Sequence, residues 1–138
     1  LELARAKFAL EKIQKIRNVP DHDRYKSELQ DLPARLHSAG LGQTLASLLA
    51  SADHGNPPKT VPRVVIYGWL EEWLRTPPIN YPANYRLIEC IVAALPAGMK
   101  TASYMAASRE TRALATWLKK FAEAFIEPKG AVQPEAQV

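Results

Sequence analysis

Tyr25-Lys26-Ser27-Glu28-Leu29-Gln30-Asp31-Leu32-Pro33-Ala34-Arg35-Leu36 is the stretch on which the fold turns. Tyr25, Leu29, Leu32 and Leu36 stand at i, i+4, i+7 and i+11. That spacing lines them along one side of an α-helix and would split them between both faces of a strand. Asp21 or Asp23 can cap the start of the helix. Pro33 interrupts the pattern. It has no N–H for the carbonyl of Leu29 and disfavours helical dihedrals at Leu32. The spacing therefore predicts a kink, or a break with Pro33 opening a short second piece. Gly40 then ends that piece in a left-handed conformation.

The same periodicity runs outward in both directions. Upstream, residues 2–17 form an amphipathic pattern with Leu3, Ala6, Leu10 and Ile13 on one stripe. Arg5 and Lys12 fall on the far side with Lys15 nearby, and Lys7, Glu11 and Lys15 make i,i+4 pairs worth a few tenths of a kcal/mol each. Asn18 and Pro20 stop this helix. Downstream, a helix at 41–52 carries Leu41, Leu45, Leu48 and Leu49; Gly42 and Ala46, four apart, either admit a close neighbour or are a weak spot with no role. Residues 53–60 read as a loop. Thr60 can cap the next helix, with Pro62 in its first turn, running to Arg75. Its wide apolar face holds Val65, Ile66, Trp69, Leu70, Trp73 and Leu74, while Glu71 and Glu72 point elsewhere.

A second loop at 76–83 leads to a helix at 84–96, with Leu87, Ile88, Ile91, Val92 and Leu95 expected inside and Pro96 and Gly98 at its end. The last helix is the longest, 101–127. Tyr104, Leu114, Trp117, Leu118, Phe121 and Phe125 are its expected core face, and Arg109, Arg112, Lys119 and Glu123 lie opposite. Pro128 stops it, and 128–138 shows no periodicity, as a flexible tail would. The sum is an all-α, compact single-domain bundle of about six helices over residues 1–127.

Composition fits that reading. The chain has 138 residues, 47% of them hydrophobic and 23% charged, enough for one domain with its own core. No run of 18 apolar residues exists to span a membrane. Leu1-Glu2-Leu3-Ala4-Arg5 does not read as a signal peptide. Cys90, the single cysteine, has no internal disulfide partner and sits among Ile88, Ile91 and Val92. It reads as a buried, inert thiol of a protein of the reducing cytoplasm.

No arrangement of chemistry-bearing residues emerges. His22, His37 and His54 lie well apart, and with one cysteine no zinc spacing exists. A nucleophilic pair of Cys90 with a histidine is disfavoured by the apolar neighbours of Cys90. Gly40-Leu41-Gly42 follows no strand and is no phosphate loop. Glu71 and Glu72 diverge by about 100° on a helix and read as solvated charges. Neither enzyme chemistry, a cofactor nor a metal is expected. The remaining signal is a net charge of +4 and two helices with basic exposed faces. Arg5, Lys7, Lys12, Lys15 and Arg17 lie on the first, and Arg109, Arg112, Lys119 and Lys120 on the last. Such charges are ordinarily only solvated. If the two helices are neighbours, the faces form a groove for phosphates, read without sequence preference and weakened by salt. Tyr81 or Tyr85 can stack on a base or pack in the core.

Several stretches carry a resemblance. Arg24-Tyr25-Lys26-Ser27-Glu28-Leu29, then Leu32-Pro33, then Gly40-Leu41-Gly42-Gln43-Thr44-Leu45-Ala46 resemble the small subunit of type III-B CRISPR (Cmr) complexes. In that family a tyrosine-bearing helix runs into a Leu-Pro step and a Gly-Leu-x-x-Thr-Leu helix start. Arg5-Ala6 with Ala9 fits too, as do Tyr104, Ser108-Arg109-Glu110, Ala113-Leu114 and Trp117-Leu118-Lys119-Lys120-Phe121-Ala122-Glu123-Ala124. Residues 53–83 match poorly. The resemblance implies a non-catalytic small subunit of an RNA-guided antiviral ribonucleoprotein. It would stack in a minor filament with neighbouring copies of itself and with backbone subunits, and support guide RNA–target RNA binding through the duplex backbone. Arg5, Arg109, Lys119 and Lys120 fall in matched stretches; Lys12 and Arg112 join them as candidate RNA-binding residues on surface charge alone. The alternative is a generic helical protein-interaction module without an RNA role.

Overall fold

The structure is a computed structural model, and it describes residues 1–50 and 61–127. The expected loop at 53–60, the Thr60 cap and the tail at 128–138 lie outside the described residues. Within them the chain forms five helices and no strand: α1 (Glu2–Ile16), α2 (His22–Ala50), α3 (Pro62–Leu74), α4 (Leu87–Ile91) and α5 (Tyr104–Phe125). α2 is the central element, packing on α5, α3 and α4, while α1 lies against α5.

α2 is built on the stripe read from the sequence. Tyr25, Leu29, Leu32 and Leu36 are all buried, and Tyr25 stacks on Trp69 of α3 with centroids 6.1 Å apart. Asp21 stands just before the first helical residue, and its carbonyl accepts from the N–H groups of Arg24 and Tyr25. The chain does not break at Pro33: only Gly40, at φ +86° and ψ 168°, departs from helical dihedrals inside α2. The cost of a helix-interior proline is about 3 kcal/mol. Burial of three leucines around it, each worth about 1.5–3 kcal/mol, holds the helix through that position.

The bend comes at Gly40, where the backbone takes a conformation that a side chain would strain. Groups freed at the bend find side-chain partners. The Thr44 hydroxyl donates to the carbonyl of Arg35 at 3.2 Å, and the N–H of Gly42 donates to the Tyr104 hydroxyl at 3.0 Å. Gly42 therefore sits in a close approach, with Ile91 and Tyr104 within 4 Å of where a Cβ would stand. The expected end at Gly40 is thus met: its positive φ divides α2 into two helical pieces, the second starting at Leu41 as expected.

α3 matches its expected face, with Ile66, Trp69, Leu70, Trp73 and Leu74 buried and Pro62 in the first turn. α4 is much shorter than the expected 84–96: Val92 ends it, Ala93 turns to φ +59°, and Val92 is exposed. Its unpaired N-terminal N–H groups depend on α3. The Glu71 carboxylate accepts from Leu87 N at 2.8 Å and from Arg86 Nε at 3.0 Å, and the Tyr67 hydroxyl accepts from Ile88 N at 3.0 Å. Glu71, expected to be a solvated charge, anchors α4 instead. Tyr81 is buried and donates to the carbonyl of Ala102, which makes it a packing residue.

Candidate nucleic-acid interface

α5 starts at a side-chain cap the sequence reading passed over: the Ser103 hydroxyl accepts from Ala106 N at 3.1 Å. Its buried face consists of Ala107, Glu110, Thr111, Leu114, Ala115, Leu118 and Ala122. This corrects the expected core face. Leu114 and Leu118 are inside, but Tyr104 and Phe125 are exposed and Trp117 and Phe121 only half-buried. Small residues take the buried side because α1 and α2 both approach α5 closely. The large rings line the margin as a ladder, with Trp117–Phe121 centroids 5.4 Å and Phe121–Phe125 centroids 5.9 Å apart.

Opposite the buried side, α5 presents its cations. At about 100° per residue, Arg109, Arg112, Lys119 and Lys120 fall within an arc of about 100°, and at 1.5 Å per residue they span roughly 16 Å. Arg109, Arg112 and Lys120 are exposed and Lys119 is half-buried. None of the four enters an ion pair among the described residues. The only other charge on the outward side of the helix is Glu123, so the stripe is strongly positive.

The first helix behaves differently. α1 is rotated relative to the expected stripe: Ala9, Ile13 and Ile16 are buried, while Leu3 is 84% exposed. Phe8 packs on Trp73 with centroids 5.0 Å apart, and this contact turns Arg5 and Lys12 inward. Arg5 donates from Nε to Glu110 Oε2 at 2.7 Å and from a terminal nitrogen to Glu110 Oε1 at 2.9 Å. Its other terminal nitrogen reaches Glu2 at 2.9 Å. Trp73 Nε1 donates to the same Glu110 at 3.0 Å. Lys12 pairs with Glu72 and lies over the Phe8 ring.

These bonds set the electrostatics. Hydrogen bonding from Arg5 holds the Glu110 carboxyl below the usual carboxylate range against the opposing effect of burial, with Trp73 helping. Hydrogen bonding to Glu110 in turn raises Arg5. Both α1 cations have their charge met inside the protein. α1 and α5 are neighbours, but the cations that α1 leaves exposed are Lys7, Lys15 and Arg17, the last over the Phe125 ring at 5.6 Å.

Elsewhere the titratable groups are dispersed. Among the described residues no group of three His, Cys, Asp or Glu side chains gathers to hold a metal. His37 is exposed, His22 bonds the carbonyl of Val19 at 2.9 Å, and His54 lies outside the described residues. Cys90 is buried, and burial pushes its thiol up. No described helix is long and apolar enough to cross a membrane.

The family model of the CRISPR-associated protein Cas_Cmr5 matches residues 1–125. The crystal structure of a CRISPR-associated Cmr5 family protein from Thermus thermophilus aligns with a TM-score of 0.65. The alignment covers 91% of this chain and 96% of that one at 24% identity, a likeness of fold. No curated protein matches the chain. With a family match over nearly the whole described length and a bent-helix bundle to go with it, the chain belongs to the Cmr5 family, the small subunit of type III-B Cmr complexes.

Proposed function

We propose that this small subunit is a non-catalytic part of a cytoplasmic antiviral ribonucleoprotein, stacked in its minor filament beside neighbouring copies and backbone subunits. Its α5 stripe lies along the backbone of the guide RNA–target RNA duplex. The observation that carries this reading is the unpaired state of Arg109, Arg112, Lys119 and Lys120 among the described residues, in a chain whose other arginines are largely drawn into ion pairs. Four cations on one helical face offer charge without base-specific geometry, which suits phosphates. Arg5 and Lys12 contribute indirectly, by fixing α1 against α5 and α3.

The test is a quadruple variant, Arg109→Ala, Arg112→Ala, Lys119→Ala and Lys120→Ala, measured in the assembled complex. Each phosphate contact contributes about 0.7–0.9 to the slope of log affinity against log salt, so the slope should flatten by about 3. A fourfold rise in salt should then weaken the unmodified complex roughly sixty-fold more than the variant. An assembled complex with unchanged target affinity and slope would reject this surface and favour a protein-interaction module without an RNA role.

A further inference from the structure

A cleft of about 290 Å³ opens between the loop at 77–79 and the start of α5. We propose that it is a nucleobase site, receiving one unpaired base of an RNA strand whose phosphates lie on the α5 stripe; it rests on the reading of α5 as the RNA-facing helix.

The walls are apolar, formed by Pro78, Ile79, Ala102 and Ala106. The two alanines leave the space that larger side chains would fill. The volume lies just below the range of about 300–1,000 Å³ typical of drug-sized ligands, a scale that suits a single flat ring system. Arg109 also lines the cleft and is the first cation of the stripe, so one residue belongs to both surfaces. Its exposed guanidinium, without an ion-pair partner among the described residues, can stack on a base or hold the phosphate next to it. The Glu110 carboxylate, which also lines the cleft, would repel a polyanion if left alone. The two bonds from Arg5 compensate it.

Two other hollows lack this combination. The one beside Arg24 and Arg63 contains Glu28, already shared between Arg35 and Arg63. The one at Val19, Pro20, Asp21 and Tyr25 has apolar walls and an acid but no cation. An apolar slot joined to a line of unpaired cations matches a nucleotide, apolar ring and phosphate together.

The test is an amide and indole NMR titration of the full chain at low salt with two six-residue strands. One is oligocytidylate and the other the same ribose–phosphate backbone without bases. Both strands should move the amides of Arg112, Lys119 and Lys120. Only the base-bearing strand should also move Ile79, Ala102, Ala106 and the Trp73 indole, whose N–H donates to Glu110 beside the cleft. Burying part of one ring should make that strand bind roughly fivefold more tightly. Ala106→Leu should remove the second set of shifts, keep the first, and equalise the strands; Ala102→Leu serves if the first variant does not fold. The strand comparison on the unmodified chain stands without either variant. Identical shifts from both strands would overturn the base site and leave the α5 reading intact. No shifts along α5 with either strand would overturn both.

Discussion

Replacing Arg5 by methionine removes two of the three hydrogen bonds that Glu110 accepts from Arg5 and Trp73. The carboxylate left behind is 5% exposed, with the Trp73 indole as its remaining donor. Breaking a buried ion pair from one side costs about 3–5 kcal/mol, because the other charge stays buried without compensation. Arg5 is itself partly open to water, which screens the pair and brings the expected loss to about 2–3 kcal/mol. For a chain of this size that is a fall in Tm of roughly 10 °C.

The assay is urea unfolding at neutral pH in a double-mutant cycle with Glu110→Gln, which keeps an acceptor for Trp73. The two losses should not add, and the cycle should return a coupling of about 1.5–2 kcal/mol. The pH dependence provides a second reading with a definite sign. With Arg5 present, the Glu110 carboxyl titrates below its unfolded value. Its contribution is therefore complete above that value, about 4.3, and is lost as pH falls through the folded value. Without Arg5 the largest cause holding the folded value down is gone while burial still pushes it up, so the folded value rises and the variant should gain stability relative to wild type as the solution is acidified. A loss under about 1 kcal/mol, additive singles, or parallel pH profiles would refute the view that this pair holds α1 onto α5 and α3.

Two further outcomes follow. Gly40→Ala places a side chain at φ +86°, with its Cβ 3.4 Å from the Tyr104 hydroxyl, and should cost about 1–3 kcal/mol in urea unfolding; an unchanged midpoint would show that the bend in α2 does not depend on this backbone conformation. Cys90 is 5% exposed and its thiol is pushed up by burial, so a disulfide-exchange reagent at neutral pH should label it only as fast as the protein opens; labelling at the rate of a free thiol in native conditions would contradict its placement in the core.

The helical class, the element order and most of the central stripe are legible because a period of 3.6 residues is written in a single segment at a time. Tyr25, Leu29, Leu32 and Leu36 need no knowledge of a partner to be assigned inward, and neither does the outward position of Arg109, Arg112 and Lys120 on α5. Where local rules compete with packing, they mislead. Local rules offered two interruptions of α2, at Pro33 and at Gly40; the helical dihedrals give way only at Gly40, because the leucines around the proline are buried and the glycine alone takes a positive φ without strain. The ladder of Trp117, Phe121 and Phe125 reads as core by size, but two helices press on α5 and its buried face holds small residues, two leucines and the paired Glu110 instead of rings.

Sequence alone determined that this chain would be helical, which face of α5 would carry charge, and the family resemblance that the comparisons bear out, since each depends on residues near one another along the chain. Tertiary structure decided which charges remain available. Arg5 and Lys12 were indistinguishable by type from Arg109 and Lys120 until Glu110, 105 residues away along the chain from Arg5, and Glu72 came to face them. A cation's partner is set by which helices pack together, and no period within one helix encodes that.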